Sequence, residues 1–188
     1  MKKFLLAPLL AALAMFVLGA VYWMSPFPYK VLGRVADDRA AADTLAKIFP
    51  ETGTYLVPGV YLDAKTMTEL YQRGPVVLVQ FVKEGHPDME PAVLVEGYVH
   101  YFVVALLLAL FLCKIQPTFV GYCCVVKATT LIGVIGAVFV CLSNPIWWHQ
   151  AWGWHLVNAL YTVLAFLVGG LVLGIFFKPA KPAAVPAV

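Results

Sequence analysis

Four side chains in this sequence have the chemistry to ligate a metal together: Glu96, His100, His149 and His155. Glu96 and His100 are four residues apart, the spacing that sets two side chains on one face of a helix. His155 opens a later apolar stretch, and His149 stands in the short segment before it. Imidazole and carboxylate ligate iron, copper or zinc, and helical bundles present such ligands inward. The competing reading is packing: Glu96 pairs with His100 or His155 and Asn158 bonds across helices, because an unpaired polar group in lipid is costly. No motif of known ligand spacing supports a metal. Packing without a cofactor is therefore the expectation, and a haem- or metal-binding redox protein is the alternative.

Other chemistry finds less support. A proton path would need titratable groups through the whole membrane, yet beyond Thr162 the last apolar stretch has none. The cysteines, Cys113, Cys123, Cys124 and Cys141, lie in or beside apolar stretches, so they are neither a secreted disulfide framework nor a CxxC metal or redox motif. There is no Gly-x-Ser-x-Gly elbow, phosphate loop, HExxH or Rossmann fingerprint, which points away from an enzyme. The net charge of +3 includes no basic run that could follow a phosphate backbone, so nucleic acid is not an expected partner.

The elements that must position these residues are membrane helices. Of 188 residues, 62% are hydrophobic and 12% charged, and the mean hydropathy is +0.86. Such values lie outside the range of soluble domains. Four stretches reach the roughly 20 apolar residues that a bilayer core demands. The first, Phe4 to Met24, follows Lys2 and Lys3 like a signal peptide, but it is long for one and its only A-x-A pattern, Ala12-Leu13-Ala14, lies in its middle. It is expected to stay as an anchor, residues 1–24. The second runs from Ala92 to Cys113. The third lies between Thr118 and Trp147, with a span expected from about Ala128 to Ile146 so that Lys127 snorkels at the interface rather than sitting at mid-membrane. The fourth runs from His155 to Phe177, completing a three-helix region over residues 92–177. The Pro- and Ala-rich tail, residues 178–188, is expected to be a disordered cytoplasmic extension.

Orientation follows from the flanking cations. With four spans, Lys2, Lys3, Lys114, Lys127, Lys178 and Lys181 fall on one side, while Ser143 to Trp154 carries no charge. The lysine side is expected to be the cytoplasm, with both termini there. Residues 25–91 hold seven Lys or Arg and nine Asp or Glu, but loops of that length cross largely regardless of charge. Trp147, Trp148, Trp152 and Trp154 read as an outer aromatic belt.

Residues 25–91 also carry folding signals. Ala36 to Phe49 suits a helix, with Asp37 and Asp38 at its positive end and Lys47 at the other. Gly53 to Val57 reads as a strand stopped by Pro58-Gly59. Asp63 can cap a helix through Arg73, Gly74-Pro75 breaks it, and Val76 to Val82 reads as a second strand. The fold class is thus a membrane all-α protein of four transmembrane helices with a small α+β extra-cytoplasmic cap between helices 1 and 2. The pairing of Gly-x-Tyr-x-x-Pro-Gly (Gly53 to Gly59) with Gly-Pro-x-x-Leu-Val (Gly74 to Val79) resembles a group of small bacterial inner-membrane proteins. The resemblance implies the same layout and a bacterial inner-membrane location, and it implies no activity.

Small residues complete the pattern. His155, Asn158, Thr162, Ala165 and Gly169 follow helical spacing on the fourth stretch, and Gly133, Gly136 and Asn144 do so on the third. Gly170-x-x-x-Gly174 begins a neighbouring stripe that could meet a different helix. Gly133, Gly136, Asn158, Gly169, Gly170 and Gly174 are therefore the expected packing positions, within the bundle or against other membrane subunits. Besides the lipid bilayer, other membrane-protein subunits are the expected partners. The expected function is an accessory or assembly subunit of a larger membrane complex. A transporter ranks below the redox alternative, because neither a repeat nor a broken mid-membrane helix is evident.

Overall fold

The computed structural model describes residues 2–87, 90–115 and 121–177. The tail beginning at Lys178 lies outside them. The chain divides into two compact units, Met1–Leu32 with Pro91–Val188, and Gly33–Glu90.

Four stretches of the first unit are helical, long and apolar enough to cross a membrane: Leu5–Met24, Pro91–Ile115, Tyr122–Trp148 and Trp152–Phe177. At about 1.5 Å per residue, each reaches the roughly 30 Å of a hydrocarbon core. α1 is Lys2–Met24. After it a 3-10 turn, Pro28–Val31, packs on the last membrane helix, and the Tyr29 hydroxyl donates to the Trp23 carbonyl at 2.9 Å. Residues 25–32 therefore group with the membrane helices in the first unit, and the second begins at Gly33.

The α+β unit is inserted between the first and second membrane helices. Its α2, Asp38–Ile48, is capped by Asp37, whose Oδ1 accepts from the N–H groups of Arg39 and Ala40, each at 3.0 Å. Asp63 does the same for α3, Ala64–Arg73, accepting from Lys65 at 3.1 Å and Thr66 at 3.0 Å. These bonds occupy amide hydrogens that the first helical turn leaves without partners. Gly74 ends α3 with φ 65° and ψ 178°. That conformation is open to glycine and almost nothing else. β1, Gly53–Val57, pairs antiparallel with β2, Val77–Phe81, with Gly53 opposite Phe81 and Val57 opposite Val77. Phe49 lies on one face, stacked on Tyr55 at 4.5 Å and tilted against Phe81 at 5.4 Å. Neither α2 nor α3 has a buried residue.

In the membrane unit, α4 is Pro91–Ile115, with proline at its first position, where no amide hydrogen is required. α5 is Tyr122–Gly136, and it passes through a π turn, Ala137–Cys141, into α6, Ser143–Trp148. The helix begins at Tyr122, six residues before the span expected from Ala128, and Lys127 is an exposed side chain inside it. A snorkelling lysine does not interrupt a helix, so the helix can extend past the interface. The wide turn is closed by Leu142 N–H donating to the Ala137 carbonyl at 3.2 Å. It precedes Pro145, whose ring has no amide hydrogen and crowds the turn before it. The side chains of Ser143 and Asn144 donate to the Val140 carbonyl at 3.0 and 3.4 Å. α7 is Trp152–Phe177.

α1 packs on α4 and α7, and α5 packs on α7. The core is built from small residues where α1 meets α4: Ala7, Ala11 and Ala12 against Ala105 and Ala109, with Leu108, Leu112, Val125, Leu173 and Phe177 around them. Alanine at four-residue spacing lets two backbones approach closely, which is the main source of helix attraction in lipid.

Candidate functional site

Glu96 and His100 are both exposed, on the same stripe of α4 as Val103 and Leu107, which are exposed as well. The face of α4 turned to α1 is the one bearing Ala105 and Ala109, so the helix directs Glu96 and His100 elsewhere. His100 meets the Tyr101 ring edge-on at 5.6 Å. His149 is exposed in the left-handed conformation, φ 52°, that ends α6. His155 bonds through Nε2 to Gln150 Oε1 at 2.8 Å. Among the described residues, no group of three or more His, Cys, Asp or Glu side chains is placed to hold a metal ion. Glu96, His100, His149 and His155 therefore do not form the four-ligand set that their similar depth suggests. Depth along a helix is legible from spacing; rotation about its axis is decided by the packing face.

The polar partners of the packing reading differ too. Among the described residues Glu96 pairs with neither histidine, and the Asn158 side chain donates to the Trp154 carbonyl of its own helix at 2.7 Å rather than across helices. Thr162 likewise donates to the Asn158 carbonyl at 2.9 Å, and lies 3.9 Å from Cys141 Sγ on the π turn. Gly136 has open space where a Cβ would stand, so it packs against nothing among the described residues.

The other glycines are interfaces within the chain. A Cβ on Gly169 would stand 3.0 Å from Met15 Sδ on α1, and one on Gly174 would stand 2.8 Å from the Tyr122 ring on α5. Gly133 faces Phe166, and Gly170 faces Thr129, whose buried hydroxyl donates to the Val126 carbonyl at 2.9 Å and the Val125 carbonyl at 3.1 Å. The second stripe does meet a different helix, and that helix is α5.

A cluster of aromatic side chains joins α1, α4 and α7, and the sequence reading does not single it out. The hydroxyls of Tyr101 and Tyr161 are hydrogen-bonded to each other, and the Tyr22 hydroxyl donates to the Val157 carbonyl at 2.9 Å. Tyr161 contacts the rings of Tyr22 at 5.1 Å and Trp23 at 5.2 Å, and Trp23 contacts Trp154 at 5.8 Å. A Cβ on Gly19 would stand 2.9 Å from the Tyr101 hydroxyl and 2.7 Å from that of Tyr161. Glycine there leaves room for the pair. Two phenols bonded to one another satisfy their polarity inside lipid, and this geometry makes the cluster a joint among three helices. The signal is a glycine on α1 with tyrosines at matching depth on two other stretches, visible only once the helix pairing is known. Trp147, Trp148 and Trp152 stand exposed at the same end of the bundle.

Comparison with known proteins yields no match to a family model, to a curated protein or to a solved structure.

Proposed function

We propose that this protein is an accessory or assembly subunit of a larger bacterial inner-membrane complex, an energy-transducing complex being one such setting. The observation that carries the reading is the uncovered state of the inserted unit. Val57, Val76, Val77, Leu78 and Val82, in and beside its two strands, are exposed, and neither of its helices has a fully buried residue. A two-stranded sheet needs a further layer to be stable in water. A protein surface on another subunit would supply that layer. Both termini lie in the cytoplasm in this reading, supported by the one-sided lysines, and the inserted unit lies outside.

Extraction in mild detergent at native expression, then size separation and mass spectrometry, tests the proposal. The expected result is co-migration with other membrane subunits, lost when Leu78→Lys places a charge on the sheet, while α1, α4, α5 and α7 keep their slow hydrogen exchange. Recovery of the wild-type chain only as a monomer overturns it. A reporter fused at Val188 that is active only outside the cytoplasm overturns the orientation.

A further inference from the structure

The side of α4 opposite its contact with α1 carries one continuous exposed stripe: Val93, Glu96, His100, Val103, Leu107 and Leu110. Buried Ala105 stands nine residues beyond Glu96, half a turn round the axis, so the stripe and the α1 contact use opposite faces. The intervals along the stripe alternate three and four residues, a mean of about 3.5, which is the seam on which two helices supercoil. α4 is 25 residues long. A hydrocarbon core of roughly 30 Å centred on its middle residue, Val103, takes in Glu96 about 5 Å and His100 about 10 Å below the surface. His100 has the edge of the Tyr101 ring at 5.6 Å, and neither Glu96 nor His100 has a hydrogen bond or ion pair among the described residues. An unpaired carboxylate at that depth is costly.

We propose that this stripe is the interface with a second copy of the chain, in a parallel dimer in which Glu96 of each copy accepts a hydrogen bond from His100 of the other. The stripe lies on a membrane helix, apart from the inserted unit that carries the functional reading above, so the two proposals stand or fall separately.

Complementarity chooses the occupant. One face bears both halves of the pair, a carboxylate that only accepts and an imidazole that donates through a ring N–H. Such a face matches itself under two-fold symmetry, where residue i meets j and j meets i. Copies of one chain enter the bilayer in the same sense, so a two-fold axis along the membrane normal sets their α4 helices parallel with equal depths side by side. In a parallel seam, the knob at Glu96 enters a hole formed by four residues of the facing helix, and the residue four positions on, His100, is one of them. Gly97 is another, and without a side chain it leaves room for the carboxylate. The dimer thus brings two imidazole donors to two carboxylates, while Val103, Leu107 and Leu110 supply apolar knobs below. A polar pair at a single level of an apolar seam also fixes its register.

Energy transfer between purified full-length chains in phosphatidylcholine vesicles, carrying donor or acceptor fluorescent proteins at Val188, tests the pairing. Wild-type chains are expected to associate. Glu96→His gives a face with two imidazoles and His100→Glu one with two carboxylates, and each variant alone should associate about tenfold more weakly. Mixing the two variants should restore wild-type transfer, because one now supplies both donors and the other both acceptors; two misfolded chains would not rescue each other. In a background with the four cysteines replaced by alanine, Val103→Cys should form a disulfide between copies under mild oxidation. Val95→Cys, exposed as well but about 100° round the helix from Glu96, should not. Wild-type chains that show no transfer at high protein-to-lipid ratio overturn the proposal and give the stripe to a helix of a different protein. A mixture that stays as weak as its components overturns it too, as does cross-linking at Val95 in place of Val103.

Discussion

The membrane unit and the inserted unit solve the same problem with opposite means. Ala7, Ala11, Ala12, Ala105 and Ala109 are almost wholly buried, so the bundle gains cohesion from the closeness of its backbones. Among the described residues of the inserted unit, Phe49 is the only buried large hydrophobic side chain, and order comes from local devices: two aspartate caps, a glycine stop and one stacked ring. Lipid already covers apolar side chains, so small residues suffice inside it. Water does not, so a segment with one buried ring is stable only to the extent that its hydrogen bonds hold.

Removing that ring is the severest way to press the contrast. Phe49→Ala is expected to cost about 3 kcal/mol, enough to open the inserted unit. Peptide-resolved hydrogen exchange of the full chain should show fast exchange from Gly33 to Glu90 and unchanged protection in α1, α4, α5 and α7. Protection that falls in both units together would mean that they fold as one.

Overfilling a close contact presses the other side. Gly170→Ala drives a methyl into the Thr129 hydroxyl. Overpacking of this kind should destabilise the pairing of α5 with α7 by about 2 kcal/mol. Thr129→Ala alone should be mild, and combined with Gly170→Ala it should recover much of the loss in thermal unfolding. If the pair shows no such rescue, the contact does not limit the packing.

Acid should separate the units most gently. The Thr66 hydroxyl and amide hold the Asp63 carboxyl below its ordinary value of 3.8, and the Thr52 hydroxyl, which donates at 2.6 Å, holds Glu84 below 4.5. Groups whose folded values are depressed contribute stability above their ordinary values and lose it as pH falls through the folded ones. The inserted unit should therefore loosen below about pH 4, while the bundle, with Glu96 as its only helical carboxylate, should not respond. Exchange measured between pH 6 and pH 3 reads the difference, and equal loosening of both units would break the comparison.

Much of the fold was legible in the residues. Apolar length marked the four spans, and Asp37, Asp63, Gly74 and Pro75 marked the ends of the elements between the first two, because caps and stops act over a few positions. The site was less legible. Spacing puts Glu96 and His100 on one face of α4, but only the partner at Ala105 and Ala109 decides which way that face turns. The joint at Gly19, Tyr101 and Tyr161 draws on three separated stretches, and no local pattern contains it. Gly136 looked like its neighbour Gly133, yet one faces Phe166 and the other faces nothing among the described residues.

The π turn at Ala137–Cys141 also makes the third span a counting device. The wide turn takes up one residue more than an ordinary turn for the same rotation, so deleting one residue there should restore ordinary helical winding and leave Trp147, Trp148 and His149 on their present bearings. A substitution that straightened the turn without removing a residue would instead swing everything after it by about 100° around the axis. The span therefore tolerates a lost residue at this turn better than a lost turn, and the whole far end of the helix reads that difference.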